Sequence, residues 1–349
     1  MAGDASMTLF TAPDFDGHER VTFVTDAATG LRAIVAIHNT VLGPALGGCR
    51  MWSYAHEEEA IADALRLSRG MTYKAALAGL ALGGGKSVIL GDPARDKSAD
   101  LFRAFGRAVD ALGGRYIVAE DMGTTVEDMD VVRTQTSHVG GVSGGVGDPS
   151  PKTAAGVLIA MKAAWRHMTG SEGMDGVRVA IQGLGHVGAS LARMLSVEGA
   201  RLVVADIDKD RTQAVAAETG AAIASTDAIH ASDADIFAPC AMGAGLNDTT
   251  IPELRVRLVC GAANNQLAQA RHGDALRDRG IVYVPDYLAN AGGLIEVART
   301  ALGYDAAEAD ARRARIADTV VEILARAERE GRATSDIADR IAEERFARA

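Results

Sequence analysis

The sequence predicts an α/β protein with two domains, and three observations support this prediction. The chain has 349 residues, about twice the length of a typical domain. Apolar strand-like runs alternate with helix-like segments along both halves of the chain. Between the halves, residues 140–152 have the sequence GGVSGGVGDPSPK, and a segment so rich in glycine and proline favours a linker.

The composition disfavours several classes of protein. A net charge of −10 argues against a nucleic-acid partner, and no apolar run approaches the roughly 20 residues of a membrane helix. The first twenty residues lack the pattern of a secretory signal. Cys49, Cys240 and Cys260 are odd in number and far apart, so they predict neither disulfides nor a metal site. We expect a cytoplasmic protein in which each cysteine is a small buried side chain.

In the first half, the apolar run Leu31–Ile37 predicts a strand that ends at a Gly43-Pro44 turn. A helix should follow, since apolar residues recur there at the spacing of one helical face: Ala60, Ala64, Leu67 and Met71. Residues 87–90 and 115–118 predict two further short strands.

In the second half, a helix is predicted from Thr153, followed by alternating helices and short strands. This alternation is typical of a parallel sheet with helices on both faces. The last forty residues are rich in Ala, Arg and Glu, which predicts helices that could return to the first domain. We therefore assign residues 1–140 and about 325–349 to one domain, and 141–324 to the other. The predicted strands of the second half are 177–181, 202–205, 236–237, 258–260 and 282–284.

A glycine-rich turn in the second half has the pattern of a dinucleotide site. Glycines in a strand–turn–helix unit allow the backbone to approach a pyrophosphate at the helix N-terminus. About 20 residues later, the next predicted strand ends in Asp206, which can accept hydrogen bonds from an adenosine ribose and would repel the 2′-phosphate of NADP. The sequence therefore predicts a Rossmann-type domain that binds NAD, with this turn: Gly183, Leu184, Gly185, His186, Val187 and Gly188.

The run from Gly83 to Ser87 resembles a phosphate loop but does not match one. The motif requires glycine at position 80, which is Leu80, and a strand rather than a helix follows. What remains is a pair of lysines, Lys74 and Lys86. In a partly dry site, two lysines would lower each other's pKa, so that one serves as a base while the other holds a carboxylate. Asp121, just past a predicted strand, is a candidate proton shuttle.

Taken together, several long segments resemble the amino-acid dehydrogenase family of glutamate, leucine, phenylalanine and valine. They follow one another in order along nearly the whole chain. The segments are residues 42–51, 70–74, 83–86, 119–125, 235–241, 261–267, 285–287 and 290–293.

This resemblance implies two α/β domains with an active site in the cleft between them, the first domain carrying catalysis and oligomerisation. It implies that Lys74 binds the substrate carboxylate, that Lys86 is the general base, and that Asp121 assists proton transfer. Gly47 and Asn265 would help to hold the substrate. Besides the turn and Asp206, the resemblance implies further NAD contacts at Thr153, Cys240, Ala241 and Asn264.

The same resemblance implies a side-chain pocket lined by apolar residues: Leu46, Ala119, Leu294 and Val297. Glutamate is disfavoured there, because its carboxylate would be buried without a partner. Ala119 resembles the leucine type, whereas Leu294 is shared with some phenylalanine enzymes. A branched aliphatic L-amino acid is favoured and phenylalanine remains the alternative, each converted reversibly to a 2-oxo acid and ammonia by a homo-oligomer.

Two hypotheses of other kinds stay open. A non-catalytic NAD-sensing protein would not need Lys74, Lys86 and Asp121. A hydroxy-acid dehydrogenase would need a histidine paired with an acid, and His138 and His186 are more typical of structural or solvated histidines.

Overall fold

The computed structural model describes residues 9–145 and 147–347, which fall into two compact units. The first unit extends to Gly147 and includes Val297–Tyr304 and the residues from Arg345 onward. The second unit consists of Asp148–Glu296 and Asp305–Glu344. The two-domain α/β fold predicted from the sequence is therefore confirmed.

The first unit contains a mixed sheet with helices packed against it. Within residues 9–145 the strands are β1 Arg20–Asp26, β2 Leu31–Asn39, β3 Ala45–Trp52, β4 Gly83–Leu90 and β5 Tyr116–Glu120. The helices of this segment, besides a 3₁₀ turn at Leu9–Thr11, are α1 Glu57–Leu77, α2 Ala99–Asp110 and α3 Val126–Arg133. The strand order is β1-β2-β4-β3-β5, in which β2 is antiparallel to both neighbours and β3 is parallel to β4 and β5.

The predicted strands of this unit are confirmed as β2, β4 and β5, but β1 and β3 were not predicted. The strand β4 also starts earlier than predicted, because the glycine run belongs to it. A Cβ atom on Gly84 would lie 2.1 Å from the backbone nitrogen of Thr72, and one on Gly85 would lie 2.7 Å from the Tyr116 ring. Gly84 thus allows α1 to pack directly on the backbone of β4, and Gly85 leaves room for the Tyr116 ring.

This close approach also explains an error in the predicted face of α1. Ala60 and Ala64 are buried as expected, but Leu67 and Met71 are only partly buried. The rest of the buried stripe includes the small polar residues Ser68 and Thr72, which face Gly84. Apolar periodicity cannot detect a stripe in which small size matters more than hydrophobicity.

The second unit contains a parallel sheet with the strand order β11-β10-β9-β6-β7-β8 within residues 147–347. This is the order of a doubly wound dinucleotide-binding fold, with its switch point between β6 and β9. The strands are β6 Arg178–Gln182, β7 Arg201–Ala205, β8 Ala222–Ile223, β9 Ile236–Pro239, β10 Leu258–Val259 and β11 Val282–Tyr283. The five strands predicted here are confirmed within one or two residues, and the two-residue β8 was not predicted.

Helices connect these strands and continue to the C-terminus. Their bounds are α4 Ser150–Thr169, α5 His186–Val197, α6 Lys209–Thr219, α7 Thr250–Glu253, α8 His272–Asp278, α9 Asp286–Ala289, α10 Ala291–Leu302, α11 Ala306–Ala314, α12 Ile316–Glu330 and α13 Thr334–Ala347, with a 3₁₀ turn at Ile229–Ala231. Among the described residues, no helix combines the length and apolar character needed to cross a bilayer.

The C-terminal helices differ in placement from the sequence-based assignment. Residues 325–344 belong to the second unit, not the first. Two hydrogen bonds hold α13 there: the Thr334 hydroxyl donates to the Tyr283 carbonyl at 2.6 Å, and the Tyr287 hydroxyl donates to Asp339 at 2.5 Å. Only the end of the helix joins the first unit, where Arg345 donates to the last carbonyls of α1.

Candidate functional site

In the first unit, Lys86 and Asp121 form an ion pair although they lie on non-adjacent strands. Lys86 is on β4, and Asp121 directly follows β5, with β3 between the two strands. The Lys86 Nζ atom is nevertheless 2.8 Å from Asp121 Oδ2, and only 5% of Lys86 is exposed. A Cβ on Gly48 of β3 would lie 2.7 Å from the Asp121 Cβ. The missing side chain therefore gives Asp121 room beside β3.

The environment shifts both groups in ways that suit proton transfer. Burial lowers the pKa of Lys86 below its ordinary value, and the neighbouring Asp121 only partly offsets this effect. For Asp121, burial opposes ionisation, but the charges of Lys86 and Arg50 outweigh it, so the pKa lies below its usual value. A buried lysine whose pKa is depressed can lose its proton and act as a base more readily than a solvated one.

Arg50 on β3 also contacts Asp121 and is a candidate site residue that the sequence analysis did not identify. Its Nε donates to Asp121 Oδ2 at 3.1 Å, and its Nη1 donates to Asp63 Oδ2 at 2.7 Å. Tyr54 also donates to this Asp63 oxygen, at 2.8 Å, and Arg66 donates to the other. Arg50 was part of a segment used to recognise the family, but its partner is 71 positions away, so no local spacing indicates the contact.

Hydrogen bonds in the loop after β5 fix the position of Asp121. The Asp121 N–H donates to Thr124 Oγ1 at 3.0 Å, and this hydroxyl lies 2.8 Å from the Cys49 carbonyl, to which it donates. Gly123 has φ of +80°, and a Cβ there would lie 2.0 Å from the Met51 carbonyl oxygen. The turn thus requires glycine at 123 and connects the loop to β3.

The expected coupling between Lys74 and Lys86 stays a prediction. Lys74 lies in the last turn of α1 and is partly buried. The strongest like-charge effect on the pKa of Lys86 comes from Arg50 instead. Arg50 has this effect because it shares the Asp121 carboxylate with Lys86.

Three of the four predicted pocket residues, Leu46, Ala119 and Val297, lie in the first unit, as does Gly47. Leu46 is buried, and Ala119 is 9% exposed. A Cβ on Gly47 would lie 1.7 Å from the Gly85 carbonyl oxygen, so Gly47 is required for the packing of β3 against β4. Val297 lies beside Gly140, since a Cβ there would be 3.7 Å from Val297 Cγ1. Leu294 belongs to the second unit.

The predicted dinucleotide turn joins β6 to α5 at the switch point of the second sheet. Gly183 has φ of +92°, and a Cβ on Gly188 would lie 2.0 Å from the Gly183 carbonyl oxygen. Gly185 is the N-cap of α5, and a Cβ there would meet no atom within 4 Å. Two glycines therefore close the turn, and the third leaves the helix N-terminus open to an anion. Of the residues between them, Leu184 is buried, Val187 is partly buried and His186 is exposed.

Asp206, at the end of β7, is bound to this turn. One carboxylate oxygen accepts the Leu184 N–H at 2.6 Å, and the other accepts the Asp208 N–H at 2.8 Å. Arg211 Nη1 lies 3.7 Å from Asp206 Oδ1 and its Nη2 lies 3.2 Å from Asp208 Oδ2. The negative charge is therefore held in a fixed position at the point where a ribose would lie in this fold.

Asn264 and Asn265 occupy a strained loop after β10. Asn265 has φ of +53°, and its N–H donates to the buried Asp286 at 2.9 Å. The Asn264 side-chain oxygen accepts from Asn290 at 2.8 Å. A non-glycine residue at positive φ costs about 1–3 kcal/mol and is often functional. Both asparagines are exposed, so their side chains are accessible to a ligand.

The remaining predicted cofactor residues lie in the same unit. Cys240 follows β9 at the switch point, and its N–H donates to Gln182 of β6. It is only partly buried, unlike Cys49 and Cys260, so the expectation that all three cysteines are buried does not hold for it. Ala241 is exposed, and Thr153 on α4 packs against the start of α10 at Gly293.

Two family models match successive parts of the chain, and both describe the same group of dehydrogenases. Residues 18–138 match the family model described as "Glu/Leu/Phe/Val dehydrogenase, dimerisation domain". Residues 144–226 and 204–348 match "Glutamate/Leucine/Phenylalanine/Valine dehydrogenase".

Individual relatives align with almost the full chain. The leucine dehydrogenase of Bacillus subtilis is 50% identical over 345 residues, covering 98% of this chain and 95% of the relative. The phenylalanine dehydrogenase of Bacillus thermotolerans is 47% identical, covering 94% and 88%. The crystal structure of L-tryptophan dehydrogenase from Nostoc punctiforme superimposes with a TM-score of 0.87 at 43% identity, covering 95% and 96%.

Proposed function

Since the chain belongs to the glutamate/leucine/phenylalanine/valine dehydrogenase family, we propose that it deaminates a branched aliphatic L-amino acid with NAD. The products are the 2-oxo acid and ammonia, and the reaction is reversible. The observation that carries this proposal is the ion pair between the buried Lys86 and the partly buried Asp121, which provides a base and a proton carrier side by side. The protein is an amino-acid dehydrogenase, an oxidoreductase acting on CH–NH₂ donors.

The residues of the first unit take the following roles in this proposal. NAD, when bound, would supply the acceptor for the hydride of the substrate Cα; the substrate, having also lost a proton from its amino group, becomes an imine. Lys86 takes a proton from the water that adds to the imine carbon, which gives a carbinolamine. Asp121 assists proton transfer to the carbinolamine nitrogen, and the C–N bond breaks as the hydroxyl loses its proton, which releases ammonia and the 2-oxo acid. Lys74 holds the substrate carboxylate, and Asn265 of the second unit helps to position the substrate.

The second unit fits NAD. The open N-terminus of α5 at Gly185 suits a pyrophosphate, and Asp206 suits the ribose hydroxyls while opposing a 2′-phosphate. Thr153, Cys240, Ala241 and Asn264 complete the proposed contact set.

A branched aliphatic substrate is supported by the apolar character of the proposed pocket residues Leu46, Ala119, Leu294 and Val297. Phenylalanine is the second candidate, and one feature favours it: glycines 140 and 141 lie beside Val297 and Ala119, so this wall carries little side-chain bulk. A methyl-scale difference changes specificity by only about 1–3 kcal/mol, so the two substrates are close competitors.

We also propose that the protein works in the cytoplasm as a homo-oligomer. Its three cysteines are free, which fits a reducing compartment. The description of the matched N-terminal family model supports self-association.

The proposed activity is tested by measuring NADH formation with a panel of L-amino acids. We expect the highest kcat/KM with leucine, valine or isoleucine, little turnover of glutamate, and weaker turnover with NADP. The control is Lys86→Ala, which should lose at least about a thousandfold in rate yet bind NAD normally, since Lys86 lies outside the dinucleotide unit. Turnover of phenylalanine alone would contradict the preference for branched aliphatic substrates and leave the dehydrogenase proposal intact. No turnover of any substrate would favour the non-catalytic NAD sensor.

Replacing Arg50 should change the pH dependence of the reaction. Lys86 must be neutral to act as a base, so kcat/KM for deamination should rise as the pH increases through its pKa. Arg50→Gln removes a like charge, raises the pKa of Lys86, and should move this rise upward by about one pH unit. Arg66→Gln is the matched control, because Arg66 binds Asp63 but not Asp121. An unchanged pH profile in Arg50→Gln would show that Arg50 does not lower the pKa of Lys86.

Cofactor preference is tested with Asp206→Asn, which keeps the shape of the side chain but removes its charge. We expect the KM for NAD to rise and the ratio of kcat/KM for NADP to that for NAD to increase about tenfold, since the 2′-phosphate is no longer repelled and Arg211 loses a carboxylate partner. Asp210→Asn, an exposed residue of the same helix region, controls for net charge. If Asp206→Asn and Asp210→Asn gave the same NADP-to-NAD ratio of kcat/KM, a residue other than Asp206 would recognise the ribose.

A further inference from the structure

Two neighbouring loops of the second unit meet at residues with a strained backbone. Among residues 9–145 and 147–347, two non-glycine residues have a positive φ: Ala244 at +58° and Asn265 at +53°. Ala244 lies in the loop after β9, and Asn265 lies in the loop after β10. The Ala244 N–H donates to the Asn265 carbonyl oxygen at 2.7 Å. A strained backbone persists only where the surrounding structure imposes it, so the contacts of Asn265 need an explanation.

A buried carboxylate fixes the other side of Asn265. Asp286 begins α9 and is 8% exposed. Its Oδ2 atom accepts the Asn265 N–H at 2.9 Å, and its Oδ1 atom accepts the Tyr283 hydroxyl at 2.7 Å. A hydrogen bond to an ionised carboxylate is roughly twice as strong as one between neutral groups. The backbone of Asn265 is therefore held by Asp286 and by Ala244, while its side chain is exposed.

The loop after β9 packs directly on the backbone of the two asparagines. A Cβ on Gly243 would lie 2.6 Å from the Asn264 carbonyl oxygen and 3.0 Å from the Asn265 carbonyl oxygen. This loop is itself tied to the residues that follow, because the Asn247 side-chain amide donates to the Ala244 carbonyl at 3.0 Å. A bare backbone at Gly243 therefore sets how closely the two loops approach each other.

We propose that Asp286, assisted by Gly243 and Ala244, is a positioning residue for the substrate. It holds Asn265 in the left-handed conformation in which the side-chain amide of Asn265 is presented to the amino acid. An amide that is fixed before the substrate arrives loses less conformational freedom on binding. The inference rests on the proposed function, in which Asn265 helps to hold the substrate. Asp286 acts through the Asn265 backbone.

Replacing Asp286 tests this role. Asp286→Asn keeps the shape of the side chain but exchanges an ionised acceptor for a neutral amide. We expect kcat/KM for the preferred amino acid to fall about tenfold, mainly through a higher KM. The Kd of NAD, measured without amino acid, should stay within about twofold of its original value, because Asn265 is outside the proposed NAD contacts. An unchanged kcat/KM in folded Asp286→Asn would contradict the proposal.

Asp235→Asn is the matched control for this substitution. Asp235 Oδ2 accepts the Arg178 N–H, also at 2.9 Å. It precedes β9 and so lies at the amino ends of the strands, whereas Asp286 lies past the carboxyl end of β11. Asp235→Asn therefore weakens the same kind of bond in the same unit, away from Asn265, and should leave kcat/KM unchanged.

A double-mutant cycle separates the positioning of Asn265 from general support of the fold. Asn265→Gly removes the side chain, and glycine tolerates the positive φ. In the Asn265→Gly protein, Asp286→Asn should lower kcat/KM by less than about twofold, against about tenfold in the original protein. Equal factors in both backgrounds would overturn the proposal, because Asp286 would then act independently of the Asn265 side chain. An Asn265→Gly protein with the original kcat/KM would overturn it as well.

Two glycines of the loop after β9 give a second measurement that does not depend on Asp286→Asn. Gly243→Ala places a methyl group against the Asn265 carbonyl, whereas the nearest contact of a Cβ on Gly245 would be the Met242 carbonyl oxygen at 4.0 Å. With folding checked by circular dichroism, Gly243→Ala should lower kcat/KM about tenfold and Gly245→Ala less than about twofold. The effect of Gly243→Ala should also disappear in the Asn265→Gly protein. Equal kcat/KM values in the two alanine variants would overturn the role of this loop.

Turnover by the unaltered protein separates this inference from the proposed function. If that protein deaminates an amino acid but Asp286→Asn has the same effect with and without the Asn265 side chain, the positioning role alone is wrong. If the unaltered protein turns over no amino acid, the dehydrogenase proposal is wrong and the inference falls with it.

Discussion

The contact between Lys86 and Asp121 depends on the close packing of three strand backbones. The two residues project from β4 and from the end of β5, and β3 lies between them. Glycines remove the side chains that would separate them: Gly47 allows β3 to approach β4, and Gly48 leaves space for Asp121. Lys86 is then buried and Asp121 partly buried, and burial both depresses the pKa of Lys86 and increases the effect of every neighbouring charge.

Arg50 adds a second constraint to this pair. A buried charge is costly unless it is paired and hydrogen-bonded, and two cations share the single carboxylate of Asp121. Arg50 also binds Asp63 of α1, so this helix helps to fix the position of the charge. In the second unit Asp206 has a comparable structural role, because it binds the backbone of the glycine-rich turn in addition to its proposed contact with ribose.

The parts of the fold that could be predicted from the sequence are those encoded locally. The turn from Gly183 to Gly188 and the acid at Asp206 have a fixed spacing, because one strand–turn–helix–strand unit, from β6 to the end of β7, contains both. The pairing of Lys86 with Asp121 has no such spacing; the sequence indicated both residues as candidates but not their contact. Arg50 was missed because its contacts depend on strand order. Strand β3 was not predicted, because its glycines serve packing that apolar periodicity does not detect.

The placement of α13 was also beyond the sequence analysis. Its composition predicts a helix but not the surface on which it packs, which hydrogen bonds to Tyr283 and Tyr287 determine. The sequence thus specifies elements better than their partners. Where a small residue or a distant ion pair decides the packing, the structure is needed.

The central claim, that Gly48 gives Asp121 the space to reach Lys86, is tested most directly by comparing kcat in Gly48→Ala and Gly70→Ala. A Cβ at Gly70 meets no atom within 4 Å, so this variant controls for the substitution itself. With folding checked by circular dichroism, the account predicts a loss of about 10–100-fold in kcat for Gly48→Ala, normal NAD affinity, and near-normal kcat for Gly70→Ala. Unchanged kcat in folded Gly48→Ala would contradict it.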